Sequence, residues 1–154
     1  MSSSGKVEAA MEIKAPANVY HDIISRKLYK VPSMFPEIVQ KVDLIKGNWG
    51  GKGAVISWTF HFDGAIQECK EVIEDIDDSN MSTTFKVIEG DNLKYYKSLK
   101  LIVQAIPKGQ GTSQVNWTVI YERLQKNGPE PNSILELLLS ETKAVAATLM
   151  QPHA

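Results

Sequence analysis

The chain has 154 residues, 43% of them hydrophobic, and a formal net charge of -1 at pH 7. This length suits one domain with its own core, which we expect to span residues 1–154. The near-neutral charge does not favour nucleic acid or an anionic membrane surface as a partner. No apolar run approaches the ~20 residues of a membrane span, and the first residues lack the apolar stretch of a signal peptide. The lone Cys69 cannot close an internal disulfide, so we expect a reducing, cytoplasmic location.

The first part of the chain predicts a strand followed by a short helix. Apolar and polar residues alternate over 6–14, as they do on a strand with one buried face. Pro16 then breaks the strand. Tyr20, Ile23 and Ile24 follow with helical spacing, which predicts a short helix with these side chains on its apolar face.

Residues 28–36 contain two prolines and predict a second helical turn or an irregular link. Their apolar content includes Met34 and Phe35, which are either plain core or the lining of an entrance. Residues 38–46 predict the next strand.

A glycine-rich stretch follows at residues 47–53, with four glycines among seven residues. Such a density suggests either a phosphate cradle or a tight connection between strands. A nucleotide-binding P-loop requires Gly-Lys followed by Ser or Thr at the start of a helix, whereas Lys52 is followed by Gly53 and a strand. We therefore expect a stiff strand connection and no nucleotide cofactor.

The middle of the chain predicts a hairpin. Residues 54–62 alternate cleanly between apolar and polar side chains, and Asp63 with Gly64 is a two-residue turn signal. The return strand, residues 65–76, alternates poorly. This irregularity predicts a bulge or a strong bend.

Three more strands are predicted over residues 81–87, 99–105 and 115–121, separated by turn sequences at 89–92 and 107–111. Connections of hairpin length imply antiparallel pairing. A twisted sheet of about seven strands curls, so it offers a concave face.

The last stretch, residues 133–150, is the one long helical pattern. Ser133 followed by Glu136 is a capping-box start, and Pro152 stops the helix. The apolar stripe consists of Ile134, Leu135, Leu138, Thr142, Val145, Ala146 and Leu149, widened by Leu137, Leu139 and Met150. The opposite side carries Glu136, Ser140 and Lys143. A helix this apolar must lie across a concave surface or be gripped on two sides, so we expect an α+β fold in which it covers the concave side of the sheet.

Several blocks of the chain are similar to one plant protein family. These blocks are residues 5–6, 12–17, 43–50, 63–64, 87–91, 96–97, 117–118, 121–122 and 130–132. Together they resemble the major latex proteins, a branch of the birch-pollen-allergen and pathogenesis-related class-ten superfamily. Residues 28–29 and 47–50 are similar to kirola-like members. The chain departs from the usual family residues at Asn92-Leu93, Leu99 and Arg123.

The resemblance implies a helix-grip fold. In that fold a seven-stranded curved antiparallel sheet wraps around a long C-terminal helix, two short helices follow the first strand, and a large internal cavity remains. It also implies a partner, namely a small hydrophobic molecule such as a steroid, a flavonoid, a cytokinin-like compound or a fatty acyl chain. The implied role is non-catalytic binding in defence or stress. We expect a monomer or weak dimer without a cofactor.

The inward-facing side chains are the candidate lining of such a cavity. A mostly apolar lining with few polar groups is typical of a small-molecule pocket, although a packed core would use the same residues. Trp58 and Trp117 offer flat faces on which rings could stack. The candidate ligand-binding residues are Tyr20, Ile23, Ile24, Met34, Phe35, Ile56, Trp58, Phe60, Cys69, Glu71, Thr83, Phe85, Leu99, Leu101, Trp117, Tyr121, Leu135, Leu138, Leu139 and Thr142.

Glu71 is the candidate polar group of the cavity. Alignment with the superfamily turns it inward, whereas the alternation of its strand leaves both faces open. A buried carboxylate is costly unless it is paired, so burial would raise its pKa. It would then anchor a ligand, or act as a general base with Tyr121 as its companion. Facing outward beside Lys70, it would be an ordinary surface residue.

Other chemistry is sparse. His21, His61 and His153 are far apart in the sequence, so no metal site is predicted. Cys69 has no neighbouring histidine, which fits a small core residue better than a nucleophile.

Three functions compete. The first is a carrier of hydrophobic molecules. The second is an enzyme for condensation or isomerisation, as in some superfamily relatives, but the inward faces carry Glu71 and Tyr121 without a clear lysine. The third is a hormone receptor that regulates a phosphatase, like the abscisic-acid receptors, yet their Ser-Gly-Leu-Pro-Ala gate and His-Arg-Leu latch do not occur here. We therefore expect the carrier.

Overall fold

The computed structural model of the protein describes residues 3–150. Pro152 and His153, to which the sequence assigns the helix stop and a tail, lie outside the described residues. The elements in chain order are β1 (Ser4–Ile13), α1 (Ala17–Arg26), a 3-10 turn (Leu28–Lys30), α2 (Val31–Met34), β2 (Val39–Lys46), β3 (Val55–Phe62), β4 (Ala65–Asp77), β5 (Ser82–Gly90), a second 3-10 turn (Asp91–Lys94), β6 (Tyr96–Gly109), β7 (Thr112–Arg123) and α3 (Asn132–Met150).

The seven strands form one antiparallel sheet in the order β1-β7-β6-β5-β4-β3-β2. Strands β2 to β7 lie beside their neighbours in sequence, whereas β1 pairs with β7, from Ser4 opposite Glu122 to Ile13 opposite Ser113. The strands β1 and β2 therefore lie at opposite edges, and the segment from α1 to α2 connects them. With α3 across the concave face, this arrangement confirms the predicted helix-grip architecture.

The hairpin between β3 and β4 has the predicted turn. Asp63 and Gly64 have φ angles of 53° and 78°, and they connect Phe62 to its partner Ala65. Positive φ at both central residues is the geometry whose twist matches that of the flanking strands. The local sequence thus sets the register of this hairpin.

Strand β4 contains the irregularity that its poor alternation predicts. Its pairing with β5 shifts register between Lys70 and Glu71, and again between Ile73 and Asp75. Bulges of this kind bend a strand and redirect its side chains. Glu71 precedes the second shift and is buried in regular alternation with Cys69 and Ile73, so the structure resolves the question that the sequence pattern leaves open.

Helix α3 begins at Asn132, one residue before the predicted cap, so Ser133 lies inside the first turn. The carbonyl of Pro131 accepts a hydrogen bond from the Leu135 N–H at 3.1 Å. The buried face consists of Ile134, Leu135, Leu138, Glu141, Thr142, Val145 and Ala146. Within residues 3–150 no helix is long and apolar enough to cross a membrane.

Gly90 holds β5 against β4 at a point where a side chain has no room. Its φ is 143°, and a Cβ there would lie 2.7 Å from the Glu68 carbonyl oxygen and 2.8 Å from the Cα of Cys69. Gly109 has a similar φ of 152° but no atom within 4 Å of such a Cβ. The two glycines therefore separate backbone strain from steric exclusion.

We expect Gly90→Ala to destabilise the protein by more than about 3 kcal/mol, since the strain of an unfavourable φ is joined by overlap with backbone atoms. Gly109→Ala, the control, should cost only the strain, about 1–2 kcal/mol. Urea denaturation of both variants measures the difference. Equal losses would contradict the steric explanation.

Candidate functional site: a cavity beneath the last helix

The interior of the protein contains a cavity between α3 and the concave face of the sheet. About 70 Å³ of it is available to the centres of water molecules. Every strand from β2 to β7 contributes to its wall, together with α1, α3 and both 3-10 turns. The lining residues are Ile24, Leu28, Ile38, Val39, Trp58, Phe60, Cys69, Glu71, Phe85, Val87, Asn92, Leu99, Leu101, Trp117, Ile134, Leu137, Leu138 and Glu141.

The structure brings half of the predicted binding residues to this cavity. Those in its wall are Ile24, Trp58, Phe60, Cys69, Glu71, Phe85, Leu99, Leu101, Trp117 and Leu138. The others do not border it, namely Tyr20, Ile23, Met34, Phe35, Ile56, Thr83, Tyr121, Leu135, Leu139 and Thr142. Most of these are buried in protein contacts instead, while Met34 and Leu139 are half-buried. An inward direction therefore does not distinguish a cavity wall from packed core.

The sequence prediction misses one of the two carboxyl side chains in the wall, that of Glu141. This residue follows Ile134 by seven positions and Leu138 by three, and it precedes Val145 by four. Helical periodicity thus places its carboxyl group on the buried stripe of α3. The other missed residues are Leu28, Ile38, Val39, Val87, Asn92, Ile134 and Leu137.

Two carboxyl groups therefore border the cavity. Glu71 on β4 is 7% exposed and Glu141 on α3 is 8% exposed. Neither has an ion-pair partner among residues 3–150. The cavity wall contains no lysine, arginine or histidine. Nothing in the wall therefore compensates a negative charge.

Burial shifts the ionisation of both groups. Desolvation raises the pKa of Glu71 to about 7, and the neighbouring Trp58 indole lowers it somewhat. Desolvation and then the charge of Glu71 raise the pKa of Glu141 to about 8. The indole N–H of Trp58 lies near Glu71 but is buried without a hydrogen-bond partner of good geometry. Near neutral pH the pair thus retains protons that solvated carboxylates would have lost.

Thr142 forms the polar contact that fixes α3 beside the cavity. Its hydroxyl donates to the Leu138 carbonyl at 2.9 Å and accepts from the indole N–H of Trp117 at 2.7 Å. Because its single proton is thereby committed, the Tyr20 hydroxyl, 2.9 Å away, is the donor in the third contact. Helices α1 and α3 and strand β7 therefore meet at one oxygen atom. Burial, followed by the charge of Glu141, raises the pKa of Tyr20.

Tyr121 lies in a separate cluster. Its ring makes an edge contact with Tyr96, with centroids 6.1 Å apart, and Arg123 lies over it at 5.2 Å. Its hydroxyl accepts a long hydrogen bond of 3.4 Å from the Arg123 guanidinium. The predicted pairing of Tyr121 with Glu71 is not present in the structure.

A Ser-His-Asp chain, which the sequence prediction does not find, links α1 to the turn after β4. The Nε2 of His21 lies 2.8 Å from Asp78, and Nδ1 lies 3.1 Å from the Ser25 hydroxyl. Ser25 is only 1% exposed and also bonds Thr83 at 2.6 Å. A nucleophile must reach its substrate, and the Ser25 hydroxyl is buried. We therefore assign these hydrogen bonds a structural role, which is to hold α1 in place. Among the described residues no cluster of His, Cys, Asp and Glu could hold a metal ion.

The family comparison agrees with the fold. A model of the pathogenesis-related protein Bet v 1 family matches residues 2–152. The chain belongs to this family. Membership supports a fold that binds hydrophobic ligands.

Individual relatives confirm the resemblance to major latex proteins. MLP-like protein 31 of Arabidopsis thaliana is 34% identical over 150 residues, which are 97% of this chain and 88% of that protein. MLP-like protein 28 of the same plant is 35% identical over 147 residues, 95% of this chain. This chain spans only 44% of that second relative, and 46% of MLP-like protein 34.

Solved structures show the same fold. The ginseng major latex-like protein 151 superposes with a TM-score of 0.93 at 33% identity, covering 97% of this chain and all of that one. A truncated norcoclaurine synthase from Thalictrum flavum superposes with a TM-score of 0.77 at 17% identity, covering 97% of this chain and 96% of that one. The second likeness shows the fold alone.

We expect Thr142→Val to destabilise the protein by about 2–4 kcal/mol, because two buried donors, on Tyr20 and Trp117, lose their acceptor. Thr148 is the matched control, since its hydroxyl makes only the equivalent helical bond, to the Ala144 carbonyl at 3.1 Å. Thr148→Val should change stability by less than about 0.5 kcal/mol. Chemical denaturation measures both. A small loss at Thr142 would contradict its role as the meeting point.

Stability should also depend on the carboxyl pair. Folding raises both pKa values above the ordinary 4.5. The contribution of the two carboxyl groups to the free energy of unfolding is therefore fully present below about pH 4.5. It is lost as the pH rises through about 7 and 8. The melting temperature of the parent protein should therefore fall between about pH 6 and about pH 9. In Glu141→Gln this fall should be smaller by at least about 3 °C, because the variant lacks one of the two ionising groups. Glu136→Gln, on the exposed side of α3, should fall like the parent protein, and equal falls in all three would contradict buried ionisation.

Proposed function

We propose that the protein is a non-catalytic binder and carrier of small hydrophobic molecules. The observation that carries this proposal is the apolar cavity beneath α3, whose few polar side chains include Glu71, Glu141 and Asn92. Enclosed apolar walls with a few polar groups are typical of ligand sites. Membership of the Bet v 1 family supports the same conclusion.

The size of the cavity indicates that ligand entry requires rearrangement. Its 70 Å³ is smaller than the ~150 Å³ apolar cavity that holds benzene in another protein, and well below the ~300 Å³ of small drug sites. A steroid, a flavonoid, a cytokinin-like compound or a fatty acyl chain would therefore enter by moving side chains or α3. Ile38, Asn92 and Leu137 are the half-exposed members of the wall and mark where it approaches the surface.

The enzyme alternative rests on Glu71. Its raised pKa would suit a general base or acid, and Glu141 rather than Tyr121 is the group beside it. The norcoclaurine synthases share the fold at identities that carry no chemistry to this chain. The absence of any cationic side chain from the wall favours binding over catalysis of this kind.

The biological setting follows from the family. The description of the family as pathogenesis-related supports a role in defence or stress. A cytoplasmic location, and a monomer or weak dimer, stay predictions from the sequence.

Native mass spectrometry tests the proposal. The protein is incubated separately with a steroid, a flavonoid, an adenine-type cytokinin and a fatty acid. We expect at least one saturable adduct whose ligand is recovered unchanged on denaturation. Recovery of a chemically altered ligand would indicate an enzyme and not a carrier. The absence of every adduct would contradict both functions.

A cavity-filling variant locates the binding. Val87 lines the cavity, while Val72 lies on the outer face of β4 between the buried Glu71 and Ile73. We expect Val87→Phe to weaken the bound ligand by about tenfold or more, because the larger side chain occupies its space. Val72→Phe should leave affinity unchanged. Equal effects in titrations of the two variants would place the ligand elsewhere.

A further inference from the structure

Building on the proposed binding function, we propose that the cavity selects small apolar amines and that Glu71 and Glu141 together hold the ammonium group. The proposal concerns which molecules the cavity prefers. The binder function would survive its failure.

The first support is the position of the two carboxyl groups. Glu71 projects from β4 and Glu141 from α3, so they reach the same cavity from opposite walls. Each is more than nine-tenths buried, and neither has an ion-pair partner among residues 3–150. Burying two unpaired carboxyl groups costs stability. A function that uses both is a direct physical reason for this arrangement.

The second support is the charge of the surroundings. Both carboxyl groups act on Cys69, and Glu141 also acts on Tyr20. Asp91 is a further acidic neighbour of Cys69, and none of these three groups is a cation. The walls from α1, β3, β5, β6 and β7 add apolar and aromatic side chains. Burial and the charges of Glu71 and Glu141 raise the pKa of Cys69 well above its ordinary value, so the thiol stays neutral. When the pair ionises, its countercharge must therefore come from outside the protein.

The third support is the indole N–H of Trp58. This buried donor lines the cavity beside Glu71 without a hydrogen-bond partner of good geometry. A bound ammonium would favour the ionised form of Glu71, because an adjacent positive charge stabilises a carboxylate. An ionised Glu71 is also the stronger acceptor for the Trp58 N–H. The face of the same indole can attract the cation further.

Binding of an amine should then be linked to protons. The folded protein retains protons on the pair near neutral pH, with pKa values raised to about 7 and about 8. An ammonium that binds the ionised pair displaces these protons. Its affinity should therefore rise as the pH increases from about 6 to about 8. A neutral acceptor ligand, bound by protonated carboxyl groups, would show the opposite dependence.

Three ring compounds of similar shape provide the test. Benzylamine is cationic, benzyl alcohol is neutral and benzoate is anionic, and one ring demands the least enlargement of a cavity this small. Calorimetric titration of the full chain measures each affinity. Glu71→Gln, Glu141→Gln and the double variant remove the charges, while Glu136→Gln on the exposed side of α3 is the matched control. Melting curves verify that every variant is folded.

We expect benzylamine to bind at least about tenfold more tightly than benzyl alcohol, and benzoate to bind least. The double variant should lose that preference and still bind the alcohol, and Glu136→Gln should retain the preference. Titrations in buffers of different ionisation enthalpy should show release of roughly one proton per amine bound, a readout that needs no variant.

Several results would overturn the proposal while leaving the binder function intact. Benzyl alcohol could bind as tightly as benzylamine or more tightly. The affinity for benzylamine could be unchanged in the double variant, or it could fall as the pH rises. Failure of all three compounds, although the hydrophobic panel above forms adducts, would overturn it in the same way. Failure of the panel as well would overturn both proposals.

Discussion

The structure depends on how α3 is seated across the concave sheet. Its apolar stripe supplies the burial, but burial alone has no direction and would permit sliding or rotation. The hydroxyl of Thr142 removes that freedom, since it joins α3 to Trp117 on β7 and to Tyr20 on α1 through bonds of 2.7 and 2.9 Å. A displaced helix would leave two buried donors without an acceptor. One oxygen atom thereby fixes the register of three elements.

The cavity is a consequence of this seating. Val145 is fully buried and Ala146 nearly so, which shows that the C-terminal half of α3 packs closely. The wall of the cavity instead uses Ile134, Leu137, Leu138 and Glu141 from the preceding turns. The C-terminal half of α3, after Thr142, thus belongs to the core, and the N-terminal half covers the cavity. A small movement of the N-terminal half changes the volume available to a ligand.

The carboxyl pair connects stability with function. Ionisation of Glu71 or Glu141 in an apolar wall is unfavourable, so the same groups that would recognise a cation weaken the empty protein as the pH rises. A bound ammonium would reverse that effect. Family membership supports a hydrophobic ligand. The two carboxyl groups would add selection by ligand charge, because hydrophobic burial distinguishes ligands by shape and size but not by the sign of their charge.

The sequence by itself determined the order and type of the elements, since these follow from local patterns. Alternation gave the strands, Asp63-Gly64 gave the hairpin turn, and the 3.6-residue period gave α3. The wall of the cavity was decided by tertiary structure. Ile56 and Trp58 share one buried face of β3, yet only Trp58 borders the cavity, because strand alternation sets the face of a side chain but not what packs against it. The burial of Glu71 was likewise decided by the fold, which turns the face of β4 that carries Cys69, Glu71 and Ile73 toward the interior. The position of Glu141 was readable from its spacing on α3. Its place in the same cavity as Glu71 required the fold, since the two residues are 70 positions apart in the sequence.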